Sequence, residues 1–384
     1  MTDLVAILEA AYTLDGDEER WLYQLGETAR LNSNDGRWLV ARTYDVSQGS
    51  IVPRAMAYCG VEESPALTSL SQLDVRLCDE KTTLQIVRHG FRGSDLSPRQ
   101  PELQRPVQIF QRSFVRSVRE APRVLLRAGF DQARVREFEG VLSAWLKQWD
   151  MGDELWVNAQ DPTGIGCTLV APMRRQGLHP HEVRGWRCVA AHIASAFRVR
   201  RKLAAESRDP LDGAIPLPEA ILDPEGRLEH AEEPAKTDPA RAALYRAVRR
   251  LGRARGPLRR RDPAEAVALW QALVAGRWSL LDHFDSDGRR FVLAHRNDVR
   301  TPDLRGLTPR ECQVLGYAAL GHSNKVIAYE LGLSTSTVAG HLSAARRKLG
   351  LRSWEAIRDV LDAAQSASAD ASSTTVAKTA VGRR

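Results

Sequence analysis

Residues 307–355 read LTPRECQVLGYAALGHSNKVIAYELGLSTSTVAGHLSAARRKLGLRSWE, and the punctuation of this stretch decides the fold of its end of the chain. Thr308 is placed to cap a helix, Pro309 suits its first position, and Glu311 completes a capping box. That helix is expected to stop near Gly321. Ser323 caps a second helix, which Gly332 ends, since glycine enters the left-handed conformation without a Cβ penalty. Ser334 caps a third, expected to run to Gly350, and Ser353 starts a fourth with Ile357, Val360 and Leu361 on its buried side.

The second and third helices form the informative pair. Only Gly332 and Leu333 separate the second from the cap of the third, so the two must cross steeply, as in a helix-turn-helix. Val338, Leu342, Ala345 and Leu349 make an apolar seam on the third helix. Ser336, Ala339, Gly340, Ser343 and Arg347 lie on its other side, where small polar residues allow close approach to another surface. Arg346, Arg347 and Lys348 at its end suit a phosphate backbone. A bare interaction bundle needs the seam. It needs neither Ser-Asn-Lys at the start of one helix nor Arg-Arg-Lys at the end of the next.

The stretch resembles the LuxR-type helix-turn-helix domain of bacterial transcription regulators, a four-helix DNA-binding module. The matching residues are Leu307-Thr308, Arg310-Glu311, Val314-Leu315, Gly321, Ser323-Asn324-Lys325, Ile327-Ala328, Leu331, Ser334, Thr337-Val338, His341 and Lys348-Leu349-Gly350. Val326, Ala345 and Trp354 depart from the usual acidic, larger aliphatic and Arg residues, and Ala339 and Gly340 stand where longer base-reading side chains are common. The resemblance implies a third helix in the major groove of double-stranded DNA. Asn324, Lys325, Thr335, Thr337, His341, Arg346, Arg347 and Lys348 would then face the backbone, and Ser336, Ala339, Gly340 and Ser343 the base edges. Small side chains make few bidentate hydrogen bonds, so methyl contacts and DNA shape would carry more of the specificity. The fourth helix is the family's usual homodimer contact.

The chain has 384 residues, 43% hydrophobic and 27% charged, enough for two or three domains. Its formal net charge of +7 suits nucleic acid. Residues 301–365 carry only +2 of it, from eight basic and six acidic residues, so the basicity there is local rather than domain-wide. Cys59, Cys78, Cys167, Cys188 and Cys312 are odd in number and widely spaced, which argues for a reducing cytoplasm and against a disulfide framework. No apolar run approaches a membrane span, and the acidic N-terminal stretch does not read as a signal peptide.

Before residue 301 the pattern reads as an α+β sensory region. Helices are expected over 3–13, 16–31, 64–73, 108–127 and 131–150, with hairpins at 37–58 and 153–172 and a long helix over 179–201. This order, assigned to a domain over 1–204, resembles GAF-like sensory domains. Residues 206–215 form a break. Residues 205–300 then read as a smaller α+β module, PAS-like in outline, with hairpins at 220–230 and 278–294 and helices at 239–254 and 263–276. Residues 366–384, rich in Ser, Ala and Thr, read as a disordered tail. The fold class expected is therefore multidomain, with α+β sensory domains before an all-α four-helix DNA-binding domain at 301–365.

Two other groupings invite a function. His181, Cys188 and His192 share a helical face, but metal sites draw ligands from several segments, and a core stripe of Trp186, Val189, Ile193 and Phe197 with histidines at its rim explains them better. Arg249, Arg250, Arg253, Arg255 and Arg259 to Arg261 suit either a solvated helix face or DNA phosphates. No phosphate loop, G-x-S-x-G or H-E-x-x-H occurs, so no catalytic residues, metal or cofactor are expected. The reading is a cytoplasmic, one-component transcription regulator. Its partners would be double-stranded DNA, a second copy of the chain, RNA polymerase and a small-molecule or protein signal. The rival is a sensory scaffold whose helix-turn-helix binds protein, favoured by the small residues at 339 and 340.

Overall fold

The computed structural model describes residues 3–32, 35–45, 52–61, 114–127, 132–206, 217–299, 304 and 306–350. The helix expected at 64–73, residues 207–215 of the break expected at 206–215, the fourth helix from Ser353 and the tail at 366–384 lie outside these residues.

Helices α1 (Leu4–Ala11) and α2 (Glu18–Leu31) are capped by the carboxylates of Asp3 and Asp17, which accept from backbone amides three residues on. Strands β1 (Leu39–Asp45), β2 (Val52–Cys59), β3 (Phe114–Ser117), β4 (Asp153–Gln160) and β5 (Ile165–Met173) form one antiparallel sheet in the order β2-β1-β5-β4-β3. Alternation sorts the strand residues onto two covered faces. Leu39, Ala41, Leu155, Val157, Ala159, Cys167 and Leu169 join a core with α1, α2 and the long helix α5 (Pro180–Glu206). Trp38, Val40, Trp156 and Val170 face the opposite way, toward Val135, Leu142 and Leu146 of α4 (Gln132–Gln148), which follows α3 (Ala121–Arg127).

A second antiparallel sheet has the order β7-β6-β9-β8, from β6 (Ala220–Leu222), β7 (Leu228–Ala231), β8 (Trp278–Phe284) and β9 (Arg290–Arg296). Between its hairpins run α6 (Asp238–Arg255), α7 (Leu258–Arg261) and α8 (Pro263–Leu269). Its apolar side chains, Leu222, Leu244, Leu251, Val267 and Leu280 among them, belong to the same continuous core as Leu4, Ile7, Trp21 and Trp186. Among the described residues, side chains from before and after 204 share this one core. Helix α5 runs through the middle, buried almost continuously from Val189 to Arg200. Its Phe197 stacks on Trp21 at 5.1 Å between ring centroids. Each such large apolar side chain contributes about 2 kcal/mol on burial.

Two expectations fail on particular residues. A helix over 108–127 is wrong at 114–117, which form β3 and pair with Leu155–Asn158 of β4. The edge of β4 offers unpaired backbone groups there, and pairing with them holds Phe114–Ser117 extended. The helix over 263–276 stops at Leu269, because Trp270 turns to extended backbone and Ala275 and Gly276 take positive φ. That unwinding frees carbonyls which the next elements use.

The third unit comprises α9 (Pro309–Ala319), α10 (Asn324–Leu331) and α11 (Thr335–Leu349). Its caps are those expected. Thr308 and Glu311 make the full capping box, Ser323 and Ser334 accept from Val326 and Thr337, and Gly332 and Gly350 close α10 and α11 in the left-handed conformation.

Candidate nucleic-acid interface

Helix α11 turns its seam inward, with Val338, Leu342 and Ala345 buried. Thr335, Ser336, Thr337, Ala339, Gly340, Ser343, Arg347 and Lys348 are exposed, as are Asn324 and Lys325 at the start of α10, while His341 and Arg346 are half-buried. All twelve expected residues thus lie on α11 or the start of α10, and ten of them are open to solvent. The cap orders this surface locally. The Ser334 hydroxyl lies 2.8 Å from Ser336 Oγ and 2.7 Å from Thr337 Oγ1, and it accepts from the Thr337 amide at 3.0 Å. Lys348 does not project freely: its Nζ donates to both carboxylate oxygens of Glu311, at 3.0 and 2.8 Å. That bond from Lys348, with the amide of Thr308, holds the Glu311 carboxyl down at about 2. Lys348 therefore ties the end of α11 to the start of α9.

The rear of the unit is covered. Glu311 to Ala318 of α9 are all buried, although a helix at the edge of a free three-helix unit would keep one side wet. Leu273 and Val299, from outside the unit, belong to its core cluster. The last turn of α8 and the unwound stretch after it supply acceptors. Arg310 donates to the Ala275 carbonyl at 2.6 Å, and Tyr329 donates its hydroxyl proton toward the carbonyls of Val267 and Trp270, at 2.7 and 2.5 Å. Gly332 fits because it has no side chain: a Cβ there would stand 2.5 Å from the Leu273 carbonyl oxygen.

At the centre of this seat is His192 of α5. Its Nδ1 lies 3.0 Å from the Tyr12 hydroxyl, and its Nε2 lies 2.8 Å from both the Trp270 carbonyl and the Tyr329 hydroxyl. A neutral ring with its proton on Nε2 satisfies these bonds, accepting from Tyr12 and donating to Trp270. Burial pushes its pKa down to about 3. Tyr12 stacks on Trp270 at 5.7 Å, so the N-terminal helix region, α5, the stretch after α8 and α10 meet within one ring of side chains. Beside it, Arg198 donates from Nε to Asn297 Oδ1 at 3.0 Å, and Asn297 Nδ2 reaches Ser195 and Ser279. The Arg198 guanidinium also acts on the buried Tyr317 hydroxyl of α9.

His192 corrects the reading of histidines at a helix rim: it is fully buried. His181 stacks instead on His179, and no group of His, Cys, Asp and Glu suited to a metal ion forms among the described residues. Sequence reasoning missed His192, Tyr329, Arg310 and Arg198 as a set. Their partners are backbone carbonyls and residues up to 180 positions away, and no spacing rule reports those.

Residues 305–360 match the bacterial regulatory proteins of the luxR family, over the GerE domain. A protein of Pseudomonas aeruginosa named "Putative transcriptional regulator" is 32% identical over 101 residues, which cover 26% of this chain and 47% of that relative. The match thus spans about half of the relative's length. The chain carries a C-terminal LuxR-type helix-turn-helix domain, and no helix among the described residues is long and apolar enough to cross a membrane.

Proposed function

We propose that the chain is a one-component transcription regulator, in which residues 3–299 receive a signal and control DNA reading by α10 and α11. One observation carries this reading: the helix-turn-helix is held from behind while its recognition side stays open. Tyr329, Arg310 and Gly332 are committed to the body, whereas Ser336, Ala339, Gly340, Ser343 and Arg347 face solvent. Control by masking the recognition helix would need the reverse arrangement. Control by orientation needs this one, because a shift of α5 moves the seat and with it the pitch of α11 against a duplex. A signal acts this way only if it binds one seating better than the other.

The α+β body supports a sensory role of the GAF-like and PAS-like kind through its two antiparallel sheets, the first covered by helices on both faces. A homodimer reading paired half-sites about 10 bp apart completes the proposal. The small residues Ala339 and Gly340 favour a second reading, in which α11 packs on a protein partner. Genomic DNA capture with the full chain, followed by footprinting, separates the two. Enrichment of a common sequence with paired protection is the expected result. Absence of any enriched sequence would set the regulator reading aside.

A further inference from the structure

Nine arginines and no acid occur between Arg241 and Arg261. The structure sorts them. Arg255 is turned inward to Glu9 and Asp282, and Arg259 to Asp3 and Glu9. The remaining seven, on α6 and α7, are exposed, and none has a carboxylate within ion-pair distance among the described residues. Without these seven the formal charge of the chain would be zero, so they hold its whole excess of +7.

Their arrangement is a stripe. Arg246, Arg250 and Arg253 follow one another at helical spacing, and Arg241 and Arg249 flank the exposed Tyr245 by one turn on either side. At ~1.5 Å per residue the stripe is ~18 Å long, the rise of about five base pairs of duplex. The opposite side of α6, Leu244, Val248 and Leu251, is packed in the common core with Val267 of α8. The carbonyls of Val267 and Trp270 in turn hold Tyr329 of the helix-turn-helix. Stripe and recognition helix are thus joined through α8 and α10 in one packed body.

We infer that the outer face of α6 is a second DNA-contact surface, which binds the phosphate backbone beside the sequence read by α11. The inference rests on the regulator reading above. Seven like charges on two adjoining helices repel one another in the free protein, and a polyanion relieves that repulsion while releasing counterions. Guanidinium groups suit phosphate through forked donation, and helical spacing lets several bind in register. The stripe adds affinity without sequence preference, which complements a recognition helix whose base-facing residues are small.

The test uses full-length protein, wild type and the variant R246Q/R249Q/R250Q/R253Q, on two duplexes: a minimal footprinted site and the same site with about 10 bp added on each side. Wild type is expected to bind the longer duplex more tightly, with a steeper dependence of log K on log salt. The variant should lose that gain, with a slope on the long duplex smaller by about two to four and unchanged preference among sequences. The matching Arg→Lys variant should keep most of the slope, which excludes a folding defect. Equal slopes for wild type and the Gln variant on the long duplex would overturn the inference, as would loss of binding in the Lys variant. If the wild type binds no duplex selectively, the regulator reading fails first, and that outcome is distinct from either.

Discussion

Helices α9 and α11 are near neighbours in one small unit and are treated oppositely. Helix α9 is buried along nearly its whole length, by α11 on one side and by Leu273, Val299 and the unwound stretch after α8 on the other. Helix α11 buries only its seam and leaves the rest wet. The contrast follows from how the unit is used. A side that is packed and hydrogen-bonded transmits position, and a side that stays polar and unpacked is available to a partner.

The rear seat should break most sharply at Gly332. Val at this position meets both a positive φ and the Leu273 carbonyl, so Gly332→Val is expected to destabilise the docked unit by about 3 kcal/mol. A thermal melt of the full chain should show an early transition for this unit. An unchanged melt would mean that the seat is not as close as drawn.

Acid should loosen the same seat. Burial holds His192 down at about 3 and His295 at about 4, so both stay neutral in the fold. The unfolded chain takes up protons below about 6.5. Stability is therefore full above pH 6.5 and falls as pH drops toward 4, by up to about 1.4 kcal/mol per pH unit for each ring. Urea midpoints between pH 7 and 5 measure this, and His192→Gln should flatten the curve.

Tyr329→Phe keeps the ring and removes one hydroxyl that serves His192, Val267 and Trp270. A loss of about 1–2 kcal/mol is expected, seen as faster amide exchange in α10 with α11 little changed. Faster exchange confined to α11 would count against the seat.

The smallest effect separates two adjacent residues. Lys348→Ala should lower stability by about 0.5 kcal/mol by releasing Glu311, an effect that fades as pH falls from 4.5 toward 2. Arg347→Ala should leave stability alone and reduce the salt slope of DNA binding by about one. Equal effects of the two on the slope would return Lys348 to the DNA backbone.

The legible parts of the chain were those governed by neighbours in sequence. Thr308, Ser323, Ser334, Gly332 and Gly350 marked the helices of the DNA-binding unit, because capping is settled within three or four residues. The hairpins at 37–58 and 153–172 were legible by alternation and turn residues, and the exposed side of α11 by the spacing of its seam. Residues 114–117 were not, because whether Phe114-Val115-Arg116-Ser117 extends depends on the free edge of β4. Nor was the end of α8, where the helical pattern continued past Leu269 while Tyr329, Arg310 and His192 drew on the carbonyls of Trp270 and Ala275 beyond it.

A LuxR-type recognition unit, with its caps, its seam and its small polar face, is written in the chain directly, since each follows from residues within a few positions of one another. So is the gathering of positive charge at 241–261. Which of those arginines are tied to Asp3, Glu9 and Asp282, and which are open, depends on the packing of distant elements. That packing alone brings Tyr12, His192, Trp270 and Tyr329 together across more than 300 residues. Burial and pairing at such distances depend on how whole elements stack, and no local pattern encodes that.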